Sequence, residues 1–466
     1  MSKMSSLETS GDGAYRTLRS DILFGRLQPS ARLRLETLSA AYGTSVSTLR
    51  EILHRLASEG LVTTDQRGFD VAPVTPREFR DLGNLRQLLE ANALQAAIAQ
   101  GDLDWEGRVV GAHHKLSRLE QLMLAGDHSR SEEWKLYDRE YHHVMVSACG
   151  SLELLAAYHS VFDRYLRYLN VAVVFRGDIA ALEHLALRDA VVDRDAPRVT
   201  ALIQRHIDGC ITHSITHDLL SDGKTLDDSD GDASGSRTKG PVTIGETGWR
   251  RVRSDILCGR LAPGEKLRLD RMRAEYGVSI STLREILNRL ASEGLVLAEG
   301  QRGFEVAPVS ADNFAELIEL HRLLWNEAIG LSLTRGDLDW ETRVVAACHP
   351  LDALEAALVA GQDGASDRWQ HAQGHFHQAL LSACGSTALR QLQGSVFDKI
   401  LRYMCLAHSL GGGPKVAVVH HALRDAVLRR DAEHASRVMT DYLDHVGGRL
   451  KHVDSSRSNP LLLQRS

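Results

Sequence analysis

The sequence predicts a mainly α-helical protein made of one unit written twice, each copy a small head with a β-wing followed by an all-helical bundle, the pair arranged as a fused pseudo-dimer. Three observations lead there. Sliding the 466-residue chain along itself by about 235 positions superimposes "STLREILHRLASEGLV" from Ser47 on "STLREILNRLASEGLV" from Ser281, "RSDILFGRLQP" on "RSDILCGRLAP" and "GDLDWEGRVV" on "GDLDWETRVV". A repeat of this length exceeds any solenoid unit, and each copy can hold its own core. Ala, Leu, Arg and Asp dominate over Val, Ile and Thr, which favours helices. Inside each copy the texture changes once, near Pro73 and Pro308, from short helices and a hairpin to long runs such as "REFRDLGNLRQLLEANALQAAIAQ" with apolar residues three and four apart.

The boundaries follow in order: a disordered N-terminus (1–14), a head (15–74), a bundle (75–216), a linker (217–247), a second head (248–309), a second bundle (310–452) and a tail (453–466). The linker is rich in Asp, Ser and Gly and too poor in large apolar residues to bury a core. No stretch approaches about twenty uncharged apolar residues, and the start has no apolar core with a cleavage site, so no membrane partner and a cytoplasmic location are expected. Cys149, Cys210, Cys258, Cys348, Cys384 and Cys405 have neither zinc-ribbon nor disulfide-framework spacing, and read as reduced thiols. The net charge of -6 argues against a chain coated in nucleic acid and leaves room for a local basic face.

In the first head, "LETLSAAYG" ends one short helix and "TSVSTLREILHRLASEG" begins another after a Ser-rich turn. Leu35, Leu38, Leu49, Ile52, Leu53 and Leu56 can share an interior, leaving Ser47, Thr48, Arg50 and Arg55 outward. That fits a helix-turn-helix plan suited to a major groove of double-stranded DNA, and equally a helical subdomain with a hairpin and no DNA role. "LVTTDQRGFDVAPV" then alternates and turns at Gln66-Arg67-Gly68 as a wing would.

The run from Tyr15 to Val74 resembles the winged-helix domain of GntR-family transcription regulators, with their "I-x-x-G-x-L-x-P-G-x-x-L" opening and "V-S-R-T-P-V-R-E-A-L" motif, and the resemblance recurs in the second head. Val46 and Ile280 stand at the motif's usual arginine, and Thr48 and Thr282 at its proline. The resemblance implies DNA contacts by Arg34, Ser47, Thr48, Arg50, Arg67 and Gly68, and by Arg268, Ser281, Thr282, Arg284, Arg302 and Gly303.

In the first bundle, Asp138 and His142 sit four apart on an expected helix, so both project from one face and can hold one cation. His184 and His206 fall on two further helices, but with 22 histidines in the chain these four can equally be surface or core residues. The bundle resembles the FCD ligand-binding domain of FadR-type GntR regulators, of the CsiR-like branch. That resemblance implies a divalent cation (Zn, Ni or Mn) on Asp138, His142, His184 and His206. It also implies a small carboxylic acid effector, such as a short dicarboxylate, with Arg86 supplementing its charge pairing and Glu90 orienting the arginine.

The second bundle places Gln373, His377, His420 and Tyr442 at the four ligand positions, and His321 and Trp325 at those of Arg86 and Glu90, which predicts a degenerate site unless His371 and His375 improvise another. The expected function is a ligand-responsive regulator, a repressor by family habit, whose two heads read a pseudo-palindromic operator. The alternatives are a metal-dependent enzyme, disfavoured by the lack of a general base as in an H-E-x-x-H helix, and an effector-independent DNA-organising protein.

Overall fold

The computed structural model describes residues 10–65, 68–172, 175–216, 244–298, 303–360, 362, 364–409 and 416–455, and its contacts divide into two units, Met1–Thr238 and Lys239–Ser466.

The first head comprises α1 (Ser10–Leu23), β1 (Arg32–Leu33), α2 (Leu35–Tyr42), α3 (Val46–Ser58), β2 (Val62–Asp65) and β3 (Gly68–Val71). Gly43, at φ 60°, adopts the left-handed conformation that ends α2 without steric cost. Ser45 then starts α3, its Oγ accepting from the Thr48 backbone N–H at 3.1 Å. Leu49, Ile52, Leu53 and Leu56 form the buried face of α3 and close on Leu18, Ile22 and Leu38. The strands pair antiparallel in the order β1-β3-β2, with Asp65 opposite Gly68 at the hairpin end. α1 begins inside the predicted 1–14 tail, because Ala14, Leu18 and Ile22 recur every fourth residue and pack into this core.

The first bundle holds α4 (Pro76–Gln100), α5 (Leu103–Leu124), α6 (Ser131–Val146), α7 (Leu152–Ala172), α8 (Asp178–Val192) and α9 (Ala196–Thr216). Thr75 caps α4 and Pro76 opens it, a position where a missing N–H costs nothing. α4 packs on α7 and α9, while α5 packs on α6 and α8.

The second unit repeats the order with α10 (Ile244–Leu257), β4 (Lys266–Leu267), α11 (Leu269–Tyr276), α12 (Ile280–Ser292), β5 (Val296–Ala298), β6 (Phe304–Val306) and α13 (Ala311–Arg335), then α14 (Leu338–Cys348), α15 (Leu351–Val359), α16 (Ala365–Leu380), α17 (Thr387–Ser409), α18 (Val416–Leu428) and α19 (Ala432–Ser455). α14 and α15 replace the single α5 because Pro350, in register with Lys115, lacks the N–H that would continue the helix. α10 starts inside the predicted 217–247 linker and α19 enters the predicted 453–466 tail. Linker residues 217–243 lie outside the described residues. None of the six cysteines forms a disulfide among the described residues. Among the described residues no helix is long and apolar enough to cross a membrane.

Candidate metal centre and nucleic-acid interface

Helix α3 turns its polar face outward, with Ser47 and Arg50 exposed and Thr48 half-buried; in α12, Ser281 and Arg284 are exposed and Thr282 half-buried. Ser47 and Thr48 each place a hydroxyl 2.9 Å from Ser45 Oγ, so both belong to the capping network as well as to the outer face. Arg50 and Arg284 form no ion pair among the described residues, which leaves their charge for a partner. Arg34 and Arg268 are exposed too, at the N-caps of α2 and α11. Arg55 is committed elsewhere: its guanidinium lies 3.6 Å from the centre of the Tyr15 ring and 3.7 Å from Glu59. Gly68 takes φ 128°, and a Cβ there would press on Arg32 Nη2 at 2.9 Å; Gly303 is at φ 101°. Arg67 and Arg302 lie outside the described residues.

In the first bundle, α6, α8 and α9 bring His142, His184 and His206 together, with one nitrogen of each ring within 4.8 Å of the others. All three are buried, as is Asp138 one turn before His142. Asp138 Oδ1 lies 3.4 Å from His184 Nε2 and 3.9 Å from His142 Nε2. Each imidazole is fixed from behind by a carboxylate on its Nδ1: Glu90 on His142 at 2.7 Å, Glu120 on His184 at 2.6 Å and Glu183 on His206 at 2.8 Å. Nε2 of His142 and of His184 is buried and makes no hydrogen bond, with only the Asp138 carboxylate nearby. A carboxylate on one ring nitrogen and an open, buried second nitrogen is the arrangement of a metal-ligating histidine, so these residues fit a divalent cation. Burial pushes His206 down to about 3 despite Glu183, which keeps it in the neutral form a ligand needs. Burial acts the same way on His184, but Glu120 more than offsets it and raises that ring.

Arg86 is paired with Glu90, the contact the resemblance implies. Its side chain is 1% exposed, its Nε donates to Glu90 at 2.7 Å, and the group lies over the Phe162 and Tyr165 rings. Burial favours neutral Glu90, but Arg86 and then His142 outweigh it and hold the carboxylate at about 2. Because His142 Nδ1 directs its hydrogen to Glu90, it cannot also accept from Arg86 Nη2 at 3.2 Å. Glu90 therefore orients both Arg86 and a candidate ligand. The sequence reading missed Glu120, Glu183 and Arg176. Glu183 precedes His184 and was legible from that adjacency, whereas Glu120 stands in no motif. Arg176 Nη2 bonds Glu183 at 2.5 Å, and its Nε, with the Tyr158 and Tyr165 hydroxyls, is buried without a protein partner.

The second bundle gathers no such ligand group among the described residues. Gln373, His377, His420, Tyr442, His321 and Trp325 are buried, while His371 and His375 are exposed and cannot join them.

Within the first unit, head and bundle meet through Asp163 on α7. It accepts from Arg19 of α1 at 2.8 Å and from Arg139 of α6 at 2.8 Å, and Arg139 adjoins Asp138 in sequence. Burial raises this carboxyl, but Arg139 and Arg19 win and keep it below the ordinary range. The second unit retains the pairing of Arg253 with Asp398, but Gly374 takes the place of Arg139. With one arginine instead of two, burial prevails and Asp398 is raised.

Comparison with known proteins agrees with this geometry. The chain matches the gntR family of bacterial regulatory proteins over residues 11–71 and 249–306, and the FCD domain over 81–209 and 316–445. BphR of Paraburkholderia xenovorans (strain LB400), named an uncharacterized HTH-type transcriptional regulator, is 35% identical over 204 residues, 43% of this chain and 83% of its own. GlaR of Escherichia coli (strain K12), named an HTH-type transcriptional repressor, is 36% identical over 210 residues, 43% of this chain and 92% of its own. Among solved structures, a GntR regulator from Rhodococcus sp. RHA1 is 25% identical at a TM-score of 0.36, covering 45% of this chain and 97% of that one. E. coli McbR/YncC is 16% identical at a TM-score of 0.39, covering 46% of this chain and all of that one. The matched families and relatives are regulators rather than enzymes. The chain is a GntR-family, DNA-binding transcription regulator that carries its helix-turn-helix and FCD domains twice.

Proposed function

We propose that the chain is a cytoplasmic, effector-responsive repressor whose two heads read the half-sites of a pseudo-palindromic operator, and whose first bundle holds one divalent cation and one small carboxylate. The observation that carries the effector reading is the set of three buried histidines, each backed by a carboxylate and two of them with an unpartnered Nε2. Asp138, His142, His184 and His206 would hold a borderline cation such as Zn, Ni or Mn, which supplies the positive charge that anchors a carboxylate. Arg176, with its buried open Nε, is the better second anchor; Arg86 positions His142 through Glu90. A short dicarboxylate uses both ends of such a site. GlaR, a named repressor, supports the repressor reading. Two heads on one chain raise the effective concentration of the second once the first has bound.

The test is an operator shift assay with purified chain, adding zinc and glutarate separately and together. Release of DNA that requires both is expected. Binding indifferent to zinc and glutarate, alone or together, would overturn the cation-anchored dicarboxylate reading.

The signal to the head runs through Arg139, Asp163 and Arg19, a contiguous network that both sites can bias. Asp163→Asn keeps the shape and removes the charge that both arginines need. It should leave cation content and effector-free DNA binding within about twofold, while weakening glutarate-driven release by about 5-fold or more, within the usual range of coupling energies. Unchanged release would show that head and bundle communicate by another route.

A further inference from the structure

At the positions in register with the metal centre, the second unit has exchanged charge for neutral hydrogen-bonding groups without becoming apolar. Gln373 replaces Asp138, His321 replaces Arg86, Trp325 replaces Glu90 and Tyr442 replaces His206, while His377 and His420 keep their imidazoles. None of these six is more than 4% exposed. Ring contacts join four of them: His321 stacks on Trp325 with centroids 5.7 Å apart, Trp325 meets His377 at 5.9 Å, and His377 meets His420 at 6.0 Å. Phe397 lies 4.1 Å from His377, and Gln373 sits one helical turn before His377 on α16.

Their hydrogen-bonding capacity is largely unused. Both polar atoms of the Gln373 amide, both ring nitrogens of His420, Trp325 Nε1, His377 Nδ1 and the Tyr442 hydroxyl have no protein partner. Gln393 Nε2 approaches His321 Nε2 at 3.3 Å, so that nitrogen accepts and the hydrogen on Nδ1 is left unpaired. A buried polar atom left without a partner is destabilising, and apolar residues of similar volume would make a better purely structural core. In the first unit the corresponding orphans face a cation site. Here a cation lacks its ligands: Gln donates a weak carbonyl, Tyr442 is held protonated by burial, and neither imidazole has a carboxylate behind it. Burial keeps His321 at about 3 and His420 at about 4, so no ring brings a charge at neutral pH. Glu355 remains at the register of Glu120 but is only half-buried.

We propose that the second bundle is a separate binding site for a small uncharged molecule with an adjacent donor and acceptor, a carboxamide on a flat apolar body. An amide presents both halves of what Gln373, Tyr442 and the imidazoles leave open, and its apolar body suits the Trp325, Phe376 and Phe397 rings. A carboxylate would meet no compensating cation there and would have to shed its hydration. The chain would then take two inputs of different charge class, one per copy. This goes beyond the metal-anchored effector of the first bundle and does not depend on it.

The test uses full-length protein and the near-isosteric pair benzamide and benzoate, followed by saturation-transfer NMR. His142→Ala disables the first site, so that what remains reports on the second. Benzamide should bind the wild type and His142→Ala alike, with benzoate absent from His142→Ala. Gln373→Leu should weaken benzamide by about tenfold, the equivalent of one hydrogen bond of roughly 1.4 kcal/mol, with an unchanged or raised melting temperature. Tyr442→Phe, which removes one hydroxyl and keeps the ring, provides the second variant should Gln373→Leu not fold. Benzoate binding His142→Ala as well as benzamide does would overturn the proposal, as would benzamide binding that survives both second-bundle variants. Failure of benzamide to bind at millimolar concentration would make the cluster a hydrated remnant and also overturn it.

Discussion

His142→Ala should lower bound cation from about one equivalent per chain to near none after dialysis, since it removes the ligand that Glu90 orients and leaves a cavity beside the three that remain. The ring is the hub of the centre: its Nδ1 is held by Glu90, its Nε2 is buried and open, and Asp138 stands 3.9 Å away. Removing it also leaves Glu90 Oε1 without its buried partner, Oε2 staying on Arg86, and opens a cavity, so a stability loss of about 2–3 kcal/mol accompanies the loss of metal. Far-ultraviolet circular dichroism at low temperature separates that cost from unfolding. Glutarate should then fail to release DNA, while the heads still bind the operator. His377→Ala in the second bundle should leave cation content unchanged. Elemental analysis decides: two equivalents in the wild type, or one that persists in His142→Ala, would remove the first bundle as the sole metal centre.

What the sequence disclosed and what it withheld divide along a physical line. The duplication, both helix-turn-helix heads and the i, i+4 pairing of Asp138 with His142 were legible because each is a local pattern, fixed by helical period or by turn residues. His184 and His206 needed the family resemblance, since they meet the pair only after α8 and α9 pack. Of the carboxylates behind the rings, only Glu120 stands apart from every residue the sequence singles out. Glu120 is 64 positions from the histidine it holds, and no periodicity announces that contact. The pairing of Arg86 with Glu90 was anticipated from the resemblance and is formed; the further link from Glu90 to His142 is visible only once α4 and α6 pack. α1 was cut short for a local reason: "SGDG" reads as a breaker, yet Ala14 and Leu18 are buried in the head.

Arg50→Ala and Arg284→Ala should each weaken operator binding by about 1–3 kcal/mol, and the double variant by about the sum if both heads engage one DNA. Both guanidinium groups are exposed on the outer faces of α3 and α12 with no ion pair among the described residues, so neither substitution disturbs a core or strands a partner. The loss is therefore one of contact with DNA, and the melting temperature should stay within a few degrees. If the arginines meet phosphates, affinity falls equally on specific and random DNA and the salt slope drops by about one for each arginine removed. If they meet guanine edges, only operator binding falls. Val46, 39% exposed at the start of α3, suits an apolar contact with a thymine methyl where an arginine would seek guanine, so base discrimination near that end should favour A·T pairs. Fluorescence anisotropy on operator and scrambled duplexes, across a salt series, reads all of these. An Arg284→Ala chain that binds like the wild type while Arg50→Ala loses its full increment would show that the second head does not read DNA. In that case the repeated recognition helix would survive only as a fold element, held by Leu283, Ile286, Leu287 and Leu290.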